Sequence, residues 1–230
     1  MNKSTGNMYD WLNATWNPLN GECPHKCSYC MAQHTPAGRM GFYRGQLRIN
    51  ENQMRKNLGK GKRIFVCSLN DLFARGVSDV FKGTILNHCG KFPFNEYILQ
   101  TKNPAGYRDW MRFIGNMKVL LGTTIETNDA MLTGIRSSTP IPSNRAESMR
   151  NMSVSGFKTF ITVEPIMDFE PVTFLSMLIH AKPSFVNIGA DSKRKHLPEP
   201  SKEKVVALIA GLRAAGIEVR EKDNLSRITG

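Results

Sequence analysis

At 230 residues with a net charge of +12, the chain is long enough to bury a sizeable core as one domain, residues 1–230, without disulfide staples. Its five cysteines are odd in number and three are bunched, which argues for metal binding in a reducing compartment and against a disulfide framework. The opening residues 1–6 lack the apolar core of a signal peptide, and no apolar run approaches the ~18 residues that span a bilayer, so a cytoplasmic protein is expected.

Short β-favouring apolar runs alternate with amphipathic stretches, the pattern of βα units feeding a parallel sheet. The first strand is expected at 14–16, followed by a long loop with the clustered cysteines and a helix over 50–58. A second strand at 63–68 contains the run Ile64-Phe65-Val66-Cys67, apolar enough for burial on both faces, and leads to a helix at 78–89. Strand three (96–101) precedes a helix at 104–114 that carries Pro104 acceptably in its first turn. Strand four (119–124) precedes a helix at 145–152, strand five (157–163) one at 172–180, and strand six (185–188) one at 202–215. In the last helix Val205, Val206, Leu208, Ile209 and Leu212 keep helical periodicity, and Gly216 is a stop signal. A short seventh strand is expected at 218–220. Six βα units in this length suggest an α/β fold of partial (β/α)6-barrel type, a parallel sheet with outer helices and shorter than the roughly 250-residue eightfold form.

After the first strand stand Cys23, Cys27 and Cys30, spaced C-x3-C-x2-C, with Tyr29 directly before the last. Thiolates bind soft metals and hold iron–sulfur clusters. A cubane cluster has four irons and the loop offers three cysteines, so one iron would stand open to an exogenous ligand, as an enzyme needs and an electron carrier does not. Spacing and aromatic slot together resemble the radical S-adenosylmethionine (SAM) signature. That resemblance implies a [4Fe-4S] cluster on Cys23, Cys27 and Cys30 whose open iron chelates SAM, with Tyr29 packed near the adenine. It also implies reductive cleavage to a 5′-deoxyadenosyl radical that abstracts hydrogen from substrate, with flavodoxin or ferredoxin as electron donor. More locally, Thr15-Trp16-Asn17-Pro18 and Ser68-Leu69-Asn70-Asp71-Leu72-Phe73 resemble small phage-associated radical SAM proteins, which would act in the host cytoplasm. Zinc stays open as the other reading of three cysteines, with His25 or His34 as a fourth ligand. Zinc ribbons pair two C-x2-C knuckles, however, and Cys67 and Cys89 form no second one.

Active sites of βα barrels lie at the C-terminal ends of the strands. Polar residues are expected at those ends: Ser68, Asn70 and Asp71 after strand two, Lys102 after strand three, Thr124 and Glu126 after strand four, Glu164 after strand five, and Gly189 and Asp191 after strand six. Radical SAM enzymes usually hold the SAM amino group with Gly-Gly-Glu after strand two; this chain departs from that pattern and offers Ser68, Asn70 and Asp71 instead. Thr124 and Glu126 match the place that supplies ribose contacts, since a carboxylate accepts both hydrogens of a vicinal diol. Glu164 falls where the family surrounds SAM, and Gly189 allows close backbone approach to adenine. For each of these a loop cap or outer hydrogen bond is the competing role. Lys102 and Asp191, ionisable at strand ends, are the candidate catalytic or substrate-binding residues. Trp16 stands either in the core or stacked on a base, and Cys67 and Cys89 suit buried positions.

From Gly38 to Arg63 eight basic residues (Arg39, Arg44, Arg48, Arg55, Lys56, Lys60, Lys62 and Arg63) face one acid, Glu51, and a second basic knot falls at 193–196. Such patches bind phosphate backbones, although a solvated basic face is the plainer account. The charge and the phage resemblance together favour a nucleic-acid base or nucleotide as substrate, as in phage DNA modification. A peptide or small-metabolite substrate remains open, as does a non-catalytic zinc or cluster nucleic-acid-binding module.

Overall fold

The computed structural model describes residues 2–3, 8–30, 32, 41, 43–136, 138–192 and 197–230. Arg39, His34 and the basic knot at 193–196 lie outside the described residues. The chain forms two compact units, Met1–Leu120 and Leu121–Gly230.

The first unit contains β1 (Asn2–Lys3), β2 (Ala14–Trp16), β3 (Leu19–Asn20), β4 (Arg48–Ile49), β5 (Arg63–Val66) and β6 (Glu96–Thr101). β2, β5 and β6 run parallel in that order, with Trp16 opposite Val66 and Val66 opposite Leu99, while β1 adds antiparallel to the edge of β2. Ile64, Val66, Ile98 and Leu99 are all buried, as continuous apolar strands between two layers must be. β3 and β4 make a separate antiparallel ribbon.

The helices of this unit are α1 (Glu51–Met54), α2 (Asp79–Gly90) and α3 (Met111–Ile114), the last preceded by a 3-10 turn at Pro104–Trp110. α2 starts where Ser78 Oγ accepts the Phe81 N–H, a cap worth about 1 kcal/mol. The single helix expected over 104–114 is therefore a 3-10 segment and one α-turn. Tyr107 explains the tightening: its hydroxyl donates to the Leu99 carbonyl at 2.6 Å and its ring meets Phe73 edge-on. The helix expected over 50–58 shrinks to four residues, because Trp16 Nε1 takes the Gln53 carbonyl and His88 Nε2 lies 3.0 Å from that of Lys56. Trp16 is fully buried and stacked on His88, so it belongs to the core.

The second unit is built on β7 (Val119–Thr124), β8 (Thr159–Val163), β9 (Phe185–Ile188) and β10 (Glu218–Glu221), all parallel and in sequence order. β7 begins two residues ahead of the unit's boundary. Between the strands lie α4 (Ala130–Arg136), α5 (Pro142–Val154), α6 (Pro171–His180) and α7 (Lys202–Ala214), and the chain ends in a 3-10 turn and α8 (Ser226–Thr229). α7 buries Val205, Leu208, Ile209 and Leu212 and leaves Val206 half exposed, the face that its periodicity indicates. The seventh strand is present, one residue longer than expected.

Candidate active site

In the first unit the cysteines occupy the loop after β3, so the first arm of the β3–β4 ribbon intervenes between β2 and the loop. Cys27 is buried, and Cys23 and Cys30 are partly exposed. Lys26, with φ 48°, turns the chain between them, and short turn bonds link Lys26 N–H to the Cys23 carbonyl and Cys30 N–H to that of Cys27. Burial, then the charge of Asp71, then Cys27 and Cys30, push the Cys23 thiol up to about 12, against one backbone hydrogen bond that lowers it. Among the described residues, no three ligating side chains are gathered tightly enough to hold an ion. The fit to a cluster rests on donor chemistry: three soft ligands on one loop, each of which must lose its proton on binding.

Asp71 braces this loop. Its Oδ2 lies 2.9 Å from His25 Nε2 and accepts the Lys102 N–H at 2.8 Å, and its Oδ1 accepts the Phe73 N–H at 3.0 Å. Burial alone would raise this carboxyl; the His25 hydrogen bond and charge, with Thr101 and the Lys102 N–H, hold it below the ordinary carboxylate range. Asn70 Nδ2 donates to the Gly21 carbonyl, and Ser68 Oγ donates to Asn17 Oδ1. The three polar residues assigned to the SAM ammonium therefore hold loops together in this structure. Lys102 Nζ donates to the Tyr29 hydroxyl at 3.0 Å and lies 4.8 Å from the ring centroid, which brings a candidate catalytic residue onto the aromatic of the cysteine loop. His25, weighed as a zinc ligand, has its Nε2 on Asp71. Cys67 sits just past β5 with φ 57°, buried, and burial raises both its thiol and that of Cys89.

In the second unit the strand ends carry one buried ion pair, Glu126–Arg145, and one half-buried pair, Glu164–Lys222. Glu126 Oε2 accepts from Arg145 Nη1 at 2.8 Å, both side chains being sealed from solvent, and the same nitrogen donates to the Thr124 carbonyl. Arg145 Nε and Nη2 are buried without a hydrogen-bond acceptor among the described residues. Glu164 Oε2 accepts from Lys222 Nζ at 2.8 Å, and its Oε1 accepts from Ser192 Oγ at 3.3 Å and Asn224 Nδ2 at 3.4 Å. A Cβ on Gly189 would stand 3.0 Å from the Glu164 carboxylate, so the close approach this glycine allows is to Glu164. Asp191 is buried, its N–H donates to Glu199 Oε1, and its carbonyl accepts from Arg227 Nη2.

The sequence reading reaches His25 only as a possible zinc ligand, and Arg145, Lys222 and Asn224 escape it. Lys222 and Asn224 follow β10 as the other polar clusters follow their strands, and extending that rule to the seventh strand finds them. Nothing local marks Arg145, which lies inside a helix.

Residues 7–176 match a protein-family model described as "Protein of unknown function (DUF5131)". No curated protein sequence matches the chain. Among solved structures, a point variant of spore photoproduct lyase aligns with a TM-score of 0.63 at 12% identity, covering 95% of this chain and 78% of that one. A lyase variant with bound AdoMet and dinucleoside spore photoproduct aligns at 0.58 with 13% identity, over 91% of this chain and 64% of that one. Streptococcus suis SuiB bound to precursor peptide SuiA aligns at 0.62 with 12% identity, over 90% and 48%. The chain thus spans less than two thirds of the AdoMet-bound lyase and about half of SuiB. At these identities the likeness shows the fold: an α/β parallel sheet with outer helices, the class that the sequence indicates.

Proposed function

The chain belongs to the DUF5131 family of proteins of unknown function, and we propose that it is a radical SAM enzyme of a single catalytic domain, acting on a nucleic-acid base or nucleotide. The observation that carries this reading is the C-x3-C-x2-C loop with Tyr29, placed after the first parallel strand of a fold shared with AdoMet-bound structures. Cys23, Cys27 and Cys30 would hold a [4Fe-4S] cluster. When bound, cluster and SAM together supply a one-electron cleavage that ends in hydrogen abstraction from substrate.

The chain's own residues bind and position. Asp71 and His25 hold the cysteine loop, and Lys102 fixes Tyr29 through its hydroxyl. Thr124, Glu126, Glu164 and Gly189 carry the SAM assignment in the second unit, and Lys102 and Asp191 the substrate assignment. A flavodoxin or ferredoxin is the proposed electron donor. The net charge of +12 and the phage-type sequence blocks support nucleic acid, with phage DNA hypermodification in the host cytoplasm as the setting.

The test is 5′-deoxyadenosine formation by anaerobically reconstituted protein with SAM and dithionite, with and without phage DNA or nucleotides. Product that disappears in Cys23→Ala, Cys27→Ala and Cys30→Ala supports the enzyme, and stimulation by DNA or a nucleotide supports the substrate class. An intact cluster with no product overturns the radical SAM reading. Stimulation by a peptide alone favours a peptide substrate, the reading that SuiB bound to its precursor peptide supports.

A further inference from the structure

We propose that the β3–β4 ribbon and the α1 segment form a nucleic-acid backbone track beside the cysteine loop. This deepens the substrate class proposed above and rests on it. The ribbon is tied directly to the loop: Glu22 N–H donates to the Gly45 carbonyl at 2.9 Å, and Asn50 N–H donates to that of Pro18 at 2.8 Å. Gly21, at φ 103°, lies so close to the opposite arm that a Cβ would stand 2.6 Å from Leu47 Cα. Arg44 adjoins Gly45 and Cys23 adjoins Glu22. With ~3.8 Å between successive Cα atoms and ~5 Å between paired strands, the Cα atoms of Arg44 and Cys23 are within roughly 13 Å.

Arg48 spans the turn, its Nη1 donating to the Arg44 and Gln46 carbonyls at 3.2 Å, so the basic tip has a defined shape. The chain then passes through α1 to Arg55, Lys56 and Lys60. Arg44, Arg48, Arg55 and Lys60 are exposed and Lys56 is half-buried, and none of these five cations is paired with a carboxylate among the described residues. Elsewhere some exposed cations have carboxylate partners, as Arg63 with Glu96 and Arg213 with Glu221, while Arg112, Lys118 and Lys158 have none among the described residues and so match the patch in pairing but not in place. Glu51 and Glu22 are the nearby acids, and Glu22 lies 3.8 Å from Lys26. A run of guanidinium and ammonium groups without carboxylate partners, continuing from a ribbon hydrogen-bonded to the cysteine loop, suits a polyphosphate backbone whose base is presented to that loop. Phosphate contacts of this kind position the strand and leave base identity to other residues.

The test is fluorescence anisotropy with labelled single-stranded and duplex 20-mers over 0.05–0.3 M salt. It uses the full-length chain without SAM or reductant, so its outcome is independent of 5′-deoxyadenosine formation. The triple variant Arg44→Glu/Arg55→Glu/Lys60→Glu is expected to bind at least about tenfold more weakly, with the salt slope reduced by about 2–3, at roughly 0.7–0.9 per phosphate contact. The corresponding Gln triple keeps the fold under a smaller charge change and should fall in between. The charge-matched control Arg112→Glu/Lys118→Glu/Lys158→Glu, also on exposed residues, should stay within about threefold of the parent. Equal losses in both triples, or no loss in either, overturns the track. So does a patch triple that loses binding to phosphatidylserine vesicles while DNA affinity is unchanged.

Discussion

A buried carboxylate is costly unless a partner stabilises it, and Asp71 and Glu126 have such partners at their strand ends. His25 meets Asp71 and Arg145 meets Glu126, while the half-buried Glu164 pairs with Lys222. The Glu126 pair is the most completely sealed, and two of its guanidinium nitrogens, Nε and Nη2, find no acceptor among the described residues. Its value is therefore better read as holding Thr124 and Glu126 in place than as net stability. Removing one partner alone strands the other charge: Arg145→Ala should lower stability by about 3–5 kcal/mol. The double variant Glu126→Leu/Arg145→Met should recover most of that loss, since apolar groups of similar size replace a buried pair at little cost. Urea unfolding of the three proteins checks this. If the double variant is no more stable than Arg145→Ala, the pair contributes net stability and the positioning role falls. SAM affinity reads the other half: the double variant should fold yet bind SAM more weakly, and an unchanged affinity would remove Glu126 from the SAM assignment.

The elements divide by how much local signal they carry. All seven parallel strands were legible to within two residues at their ends, because runs such as Ile64-Phe65-Val66 announce burial on both faces. The β3–β4 ribbon was not, since two-residue strands have no periodicity and their pairing spans the whole cysteine loop. α4 is seven residues long and is set by Asp129, whose Oδ1 accepts the Met131 and Leu132 N–H groups, rather than by an apolar stripe. The site follows the same division. The cysteines are contiguous and therefore readable, whereas His25–Asp71, Glu126–Arg145 and Glu164–Lys222 are partners 46, 19 and 58 residues apart, which no local pattern reveals. α7 offers a clean check on the legible class. Leu212→Ala, at a fully buried position, should cost about 2–5 kcal/mol, and Val206→Ala on the outer face should stay within about 0.5 kcal/mol. Equal losses in denaturant melts would mean that the helix does not pack as described.

At the scale of the molecule, the charge of +12 works against compactness, and more so as carboxylates protonate in acid. Two contributions to acid unfolding can be separated. Self-repulsion among exposed cations acts through solvent and is screened by salt, with a Debye length of ~8 Å at physiological ionic strength. The Asp71 contribution is buried and is not. Its folded-state pKa lies below the ordinary 3.8, so the carboxylate stabilises the fold fully above that value and the stabilisation is lost as pH falls through the lower, folded value. His25 faces the carboxylate from the cysteine loop, and the Thr101 side chain and the Phe73 and Lys102 N–H groups face it from the β5 and β6 ends. The expected result is a Tm that falls steeply below about pH 4, with only part of the fall recovered by 0.5 M salt. Asp71→Asn should have a lower Tm than the parent at pH 6, by several degrees, and a shallower acid limb that salt recovers almost completely. Parallel acid limbs for the two proteins at 0.5 M salt would show that Asp71 is not held below the ordinary range. The His25 contact would then brace the cysteine loop without favouring the ionised form of Asp71.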